Sequence, residues 1–267
     1  MSNTSKPSPG SPPARPTTRE APLATVGGAL RSVWGLLLIA TSLLVLAPVA
    51  ILGGLLRWHR AADAATRAWC RLVLFAAGAR LHVAGRERIP SEGTFVLVSN
   101  HASHLDVPAI VLAWPRSVRF VAKRSLFAIP LFGQALRAAG HIPVVRSDPE
   151  QAREALARAV RPLKRWTSVL FFAEGTRSPD GRLLPFKKGC LAMAEAAGVP
   201  ILPLAVCGTA EVLPKGSARF RPGPVAVVFG APRPDLADPA VSRDARIESL
   251  RGAVARLHRD ACALCRS

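Results

Sequence analysis

The stretch Phe95-Val96-Leu97-Val98-Ser99-Asn100-His101-Ala102-Ser103-His104-Leu105-Asp106 joins architecture to chemistry. Its first residues form an apolar run of β type, and the polar residues behind them read as a turn at the strand's end. An imidazole, His101, and a carboxylate, Asp106, thereby stand where a strand opens into a loop. Imidazole is the side chain whose ordinary pKa lies nearest neutrality. A carboxylate bonded to its far nitrogen fixes the tautomer and stabilises the imidazolium, giving a base able to take a proton from an alcohol. Five positions along a regular α-helix turn a side chain through about 500°, so pairing these two groups demands a tight turn or a helix start. The same spacing also fits a capping box, in which Ser103 caps a helix and Asp106 reaches back to its amide. His104 is a second candidate base, ranked below His101.

Outward from this stretch the chain alternates strand and helix signals. Further strand-like runs are Val118 to Ala122, Thr167 to Phe172, Ile201 to Cys207 and Val225 to Phe229, beside Phe95 to Ser99 itself. Asp148-Pro149 signals the start of a helix over Glu150 to Lys164, and Gly198 the stop of one from Cys190. Ile247, Leu250, Val254 and Leu257 give the last helix an apolar face for the sheet. The expected fold is α/β, a layered sheet flanked by helices, preceded by an N-terminal membrane-associated helical segment, with the site on loops at the strand ends.

A second block repeats the pattern of strand into polar turn: Phe171-Phe172-Ala173-Glu174-Gly175-Thr176-Arg177-Ser178-Pro179-Asp180-Gly181. Gly175 lets a ligand approach the backbone, Thr176 and Ser178 offer hydroxyls, and Arg177 offers a planar fork that matches phosphate oxygens. The alternative is a plain surface turn, with Glu174 and Arg177 as an exposed ion pair. Two further blocks are Gly140-His141-Ile142-Pro143-Val144-Val145-Arg146 and Val199-Pro200-Ile201-Leu202-Pro203-Leu204.

These four blocks, in this order from about Gly85 to Pro232, resemble the glycerolipid acyltransferases, and within them the 1-acyl-glycerol-3-phosphate acyltransferases that make phosphatidic acid from lysophosphatidic acid. The resemblance implies that His101 is the general base and Asp106 its orienting partner. It assigns Arg146 and Arg177 to the acceptor's phosphate, Glu174 through Ser178 to substrate binding, and Val199 through Pro203, Pro203 included, to the shape of the site. Phe120-Val121-Ala122-Lys123 resembles the basic stretch after the first motif, and Phe186-Lys187-Lys188-Gly189 the one after the third. Ala173 departs from the family, which usually has proline before the glutamate; that touches loop rigidity and leaves the chemistry intact.

The implied reaction runs without a covalent intermediate. His101 removes the proton of a lysolipid hydroxyl, the oxygen attacks the carbonyl of an acyl thioester, and the thiolate leaves. The sequence fits this, having no Gly-x-Ser-x-Gly elbow and no cysteine with an evident base partner. A general base contributes about 10²–10⁴-fold, so positioning and oxyanion stabilisation supply the rest. The co-substrate is an acyl-CoA or acyl carrier protein thioester, and no metal or resident cofactor is expected.

Composition fits a membrane-attached protein: 49% of the 267 residues are hydrophobic and the mean hydropathy is +0.24. From Ser32 to Leu56 no residue is charged, a run long enough for the roughly 30 Å hydrocarbon core. Pro48 and Gly53-Gly54 weaken its second half, and basic residues flank it on both sides, which disfavours translocating either end. A single span and a bent anchor in one leaflet both fit; the resembled family, with its N-terminal helical pair on the membrane, favours the bent anchor. Arg57 to Arg80 reads as an interfacial amphipathic helix or as one packed on the catalytic part through Trp69, Leu72 and Val73. The expected division is a flexible tail over 1–27, rich in Pro, Ser and Thr; an anchor and interfacial helix over 28–82; and a catalytic domain over 83–267 at the cytoplasmic side of the cell membrane.

A net charge of +19 suits anionic headgroups, coenzyme A or an acidic carrier protein. With no zinc-finger spacing, RNA-recognition signature or basic zipper, no nucleic-acid partner is expected. Oligomeric state is open. Five cysteines in a cytoplasmic setting argue against a disulfide framework, and Cys262-Ala263-Leu264-Cys265, though spaced like a redox or metal pair, receives no function. The rival readings are an acyltransferase acting on another lysolipid, such as a lyso-ornithine lipid, and a catalytically silent membrane lipid-binding protein.

Overall fold

The computed structural model describes residues 22–145, 167–238 and 240–267, together with 151, 154, 155, 157 and 160. Most of the expected tail, Arg146 and most of the helix expected over Glu150 to Lys164 lie outside the described residues.

The described residues open with α1 (Pro22–Leu55), turn at Arg57, whose φ is 58°, and return antiparallel as α2 (His59–Ala77). Glycines set how closely it packs. A Cβ at Gly53 would sit 3.0 Å from the Ala62 amide nitrogen, and one at Gly54 only 2.3 Å from the carbonyl oxygen of Ala138. The pair read in the sequence as weakening the segment is therefore its contact with two neighbours, and α1 runs unbroken through Pro48. Leu30, Trp34, Leu44, Val45, Leu52 and Leu55 all point outward from α1, more than half exposed. Helix α2 buries Cys70, Val73 and Leu74, so it packs on the sheet, while Phe75 faces out.

Behind the hairpin lies a seven-stranded sheet: β1 (Ala79–Ala84), β2 (Val96–Ser99), β3 (Val118–Lys123), β4 (Ile142–Val144), β5 (Ser168–Phe172), β6 (Ile201–Cys207) and β7 (Gly223–Phe229). Their order is β1-β7-β6-β2-β5-β3-β4, and every neighbouring pair is parallel except β6 with β7. The five expected strands form, and β1 and β4 are additions at the two edges. Among the described residues the longer helices after the hairpin are α3 (Asp106–Ala113), α4 (Phe132–Ala138), α5 (Gly189–Ala197) and α6 (Arg243–Leu264), the last packing on the sheet through the expected face; a single turn, Thr209–Val212, follows β6.

The period of two along β2 divides the core. Phe95 and Leu97 join Ile110 and Trp114, at the end of α3, on one face; Val96 and Val98 join Leu191 and Met193 of α5 on the other. The connection from β2 to β3 thus crosses one face and that from β5 to β6 the opposite face. Adjacent strands whose crossovers part in this way leave a crevice beyond their C-terminal ends, where α/β sheets bind ligands. Here that crevice lies between β2 and β5. At the far end of α3, away from that crevice, the Arg67 guanidinium of α2 donates to the carbonyls of Val111 (2.9 Å), Trp114 (2.7 Å) and Arg116 (2.8 Å).

Candidate active site

His101 follows β2 and Asp106 is the first residue of α3, so the chain turns sharply between them. The His101 Nδ1 to Asp106 Oδ2 distance is 2.7 Å. The same Oδ2 accepts the amides of Ala102 at 2.7 Å and Ser103 at 2.9 Å, while Oδ1 accepts the Thr209 hydroxyl at 2.5 Å. The two readings of this spacing are therefore one arrangement: Asp106 reaches back to the Ser103 amide and also holds the imidazole. Ser103 does not close the box; its hydroxyl donates to the Leu213 carbonyl at 2.8 Å. A carboxylate with no exposed surface is tolerable only when so fully bonded.

The imidazole stacks on Phe172, the last residue of β5, with centroids 4.0 Å apart. With Nδ1 engaged, Nε2 is the ring nitrogen without a partner among the described residues. The main chain of His101 is held by the block after β5. Its amide donates to Glu174 Oε1 at 2.9 Å, and its carbonyl accepts the Ser178 amide at 2.7 Å. Glu174 Oε2 accepts the Leu184 amide at 3.2 Å. Glu174 is thus buried and bonded to backbone, which overturns its alternative reading as half of an exposed ion pair with Arg177. Burial pushes its carboxyl up to about 7, against the two amide bonds that favour the charged form.

Around this turn the side chains are basic. Gly175, at φ 70°, leaves room for Lys187, whose Cε lies 2.9 Å from where a Cβ would be. Lys215 donates to the Arg177 carbonyl at 2.8 Å, Arg177 is half-buried, and Thr176 is exposed. Lys123 is exposed at the C-terminal end of β3, on the same edge of the sheet. Pro203 is not brought to the loops. It lies inside β6, in register with Val98, and packs beside Gly230. Arg146 lies outside the described residues.

Two positioning residues escaped the sequence reading. Asn100 exchanges hydrogen bonds with the Val206 main chain, 2.9 Å in each direction, and Thr209 holds Asp106 from beyond β6. Asn100 stands inside the decisive stretch without a role assigned to it; Thr209 carries no local signal. The cysteines also differ from expectation: Cys207 and Cys262 are joined by a disulfide, because α6 lays its last turns across the end of β6. Parity and compartment are silent about such proximity.

An apolar cavity of about 310 Å³ opens beside His104 and Leu105. It runs between the helical hairpin and the sheet, bounded by Ile39 and Ala50 of α1, Trp69 of α2 and Phe120 of β3.

The dyad, the basic turn and the apolar cavity are thus set on one α/β fold, and that fold and its sequence have known counterparts. The family model described as Acyltransferase matches residues 80–207, the segment from β1 through β6. The crystal structure of the 1-acyl-sn-glycerophosphate acyltransferase PlsC from Thermotoga maritima is similar with a TM-score of 0.73 and 26% identity, over 87% of this chain and 97% of that one. A chloroplastic 1-acyl-sn-glycerol-3-phosphate acyltransferase of Brassica napus is 43% identical over 51% of this chain and 39% of its own length. The enzyme of that name from Pseudomonas aeruginosa is 36% identical over 61% of this chain and 64% of its own. The chain thus spans between two fifths and two thirds of the length of these curated relatives.

Proposed function

We propose that this protein transfers a fatty acyl group from a thioester to the sn-2 hydroxyl of 1-acyl-glycerol-3-phosphate, giving phosphatidic acid and a free thiol. The observation that carries the reading is the His101–Asp106 contact of 2.7 Å with Nε2 unengaged. In the reaction, Nε2 takes the hydroxyl proton as the oxygen attacks the thioester carbonyl. Asp106, buried against the ring, stabilises the imidazolium. The C–S bond breaks as the ester C–O bond is completed, and the departing thiolate receives the proton from His101.

Arg177, Lys187 and Lys215 surround the turn after β5 and supply the positive field for the acceptor's phosphate, with Arg146 as a fourth cation from the resemblance. The apolar cavity takes an acyl chain. The outward apolar residues of α1, with Trp58 and Phe75, seat the hairpin in a bilayer, so the lysolipid acceptor enters from the membrane.

The test offers detergent-purified protein a panel of lysolipids (lysophosphatidate, a lyso-ornithine lipid, lysophosphatidylcholine and monoacylglycerol) with acyl-CoA and acyl carrier protein donors, identifying products by mass. Phosphatidate as the preferred product is expected. Preference for an acceptor lacking the phosphomonoester overturns the substrate assignment, and binding without turnover of any acceptor overturns the enzymatic reading.

A further inference from the structure

The end of β6 meets the last turns of α6 at a group of soft ligands outside the dyad. Cys207 and Cys262 approach with Cα atoms 5.2 Å apart, and His258 stands one helical turn before Cys262. The two ring nitrogens of His258 lie 3.7 Å (Nε2) and 4.0 Å (Nδ1) from Cys262 Sγ. Potential ligand atoms of all three residues fall within 4.8 Å of one another. We propose that, when the two cysteines are reduced, Cys207, Cys262 and His258 form a binding site for a soft divalent cation of the zinc type.

Bond lengths of about 2.3 Å to sulfur and about 2.0 Å to nitrogen put tetrahedral ligand atoms roughly 3.6 Å apart for sulfur to nitrogen and roughly 3.8 Å for sulfur to sulfur. The imidazole already stands at that distance from Cys262. Only the two sulfurs must separate, which rotation about their Cα–Cβ bonds supplies. All three residues are half-buried, which leaves the fourth coordination position to water.

The states interconvert by balanced chemistry. A dithiol passes two electrons and two protons to the Cys207–Cys262 bond and becomes a cyclic disulfide; the cation then displaces the two thiol protons to solvent. Either the disulfide or the cation ties α6 to β6. The tie matters because Cys207 lies between Val206, which holds Asn100, and Thr209, which holds Asp106.

The experiment uses the full chain in detergent, reduced, freed of reductant under nitrogen and titrated with cobalt(II). Expected are one cobalt per chain, visible ligand-field bands, thiolate-to-cobalt charge transfer in the near ultraviolet, and displacement by zinc. His258→Ala and Cys262→Ser should each weaken binding by more than about tenfold. Cys265→Ser should leave it unchanged, and the unreduced protein should bind no cobalt. Absence of the charge-transfer band in reduced wild type, or its persistence in His258→Ala, overturns the site. Loss of binding in Cys265→Ser overturns this ligand set. None of these readouts depends on acyl transfer.

Discussion

Replacing Asp106 by asparagine removes one charge and almost no volume, and the surrounding donors decide how the amide sits. Oδ2 of Asp106 receives three N–H groups, two of them backbone amides that cannot turn away. Oδ1 faces only the Thr209 hydroxyl, which can rotate from donating to accepting. The asparagine carbonyl must therefore take the place of Oδ2 and its NH2 group must face Thr209. His101 keeps the Nδ1–H tautomer and Nε2 remains the base, unlike a triad in which the amide turns the imidazole the wrong way. What is lost is the charge-assisted part of one bond, about 1.5–3 kcal/mol, or roughly 10- to 150-fold in kcat. Asp106→Ala strands the Ala102 and Ser103 amides as well and should abolish transfer, as should His101→Ala with lysolipid binding retained. The assay follows thiol release from acyl-CoA with lysophosphatidate, with circular dichroism as a check on folding. If Asp106→Asn is folded yet as inactive as His101→Ala, the orientation argument is wrong; if it retains full rate, Asp106 does not stabilise the imidazolium.

Thr209→Val keeps shape but leaves Oδ1 of a buried carboxylate unbonded; a stability loss of about 1–3 kcal/mol in urea unfolding is expected, and an unchanged midpoint would show that the hydroxyl is dispensable. Glu174 binds its proton more tightly folded than unfolded, with a pKa of about 7 against an ordinary 4.5, so its contribution to stability is complete below the ordinary value and lost as pH rises through the folded one. Glu174→Gln cannot titrate, and its NH2 group must face one of the two amides, so its stability relative to wild type should start lower and climb as pH rises from about 4.5 to about 7; melting curves whose difference is flat with pH refute it. Ala50→Phe fills part of the cavity and should shift donor preference to shorter acyl chains, by about fourfold per methylene excluded, in competition between acyl-CoA lengths; an unmoved profile places the chain elsewhere. Leu44→Ser with Val45→Ser removes two outward residues of α1 and should lower partition onto anionic vesicles more than tenfold, as judged by flotation, each side chain being worth about 1.5–3 kcal/mol when buried.

The central strands were legible because each is a short apolar run bounded by turn residues, and those runs needed only a period of two to find the core. The edge strands were not. β1 reads Ala-Arg-Leu-His-Val-Ala with half-buried, mixed polarity, and β4 is three residues long and includes a proline. His101 and Asp106 were legible as a local pair. Thr209 was not, since it reaches Asp106 across 103 residues of chain, and neither was the meeting of Cys207 with His258 and Cys262, which depends on where α6 ends. The helical hairpin shows the same limit from the other side: Gly53 and Gly54 were visible, yet whether glycine breaks a helix or lets a neighbour approach is decided by the neighbour.

Strand order explains why sequence-distant blocks make one site. In the sheet β2 lies between β6 and β5, so the loop carrying His101 has one neighbour on each side. It is bonded to both, through Glu174 and Ser178 after β5 and through Asn100 to Val206 in β6. The main chain of the loop that bears the proposed base is thereby fixed by the sheet and its strand-end loops. The cavity is formed largely by α1, α2 and α4, which supply no hydrogen bond to the dyad among the described residues. In the proposed function, chemistry and chain selection therefore rest on different parts of the fold. Substitutions in the helices should move KM and acyl preference while leaving kcat for a fitting donor, whereas substitutions at Asp106, Thr209 or Glu174 should lower kcat for every donor alike.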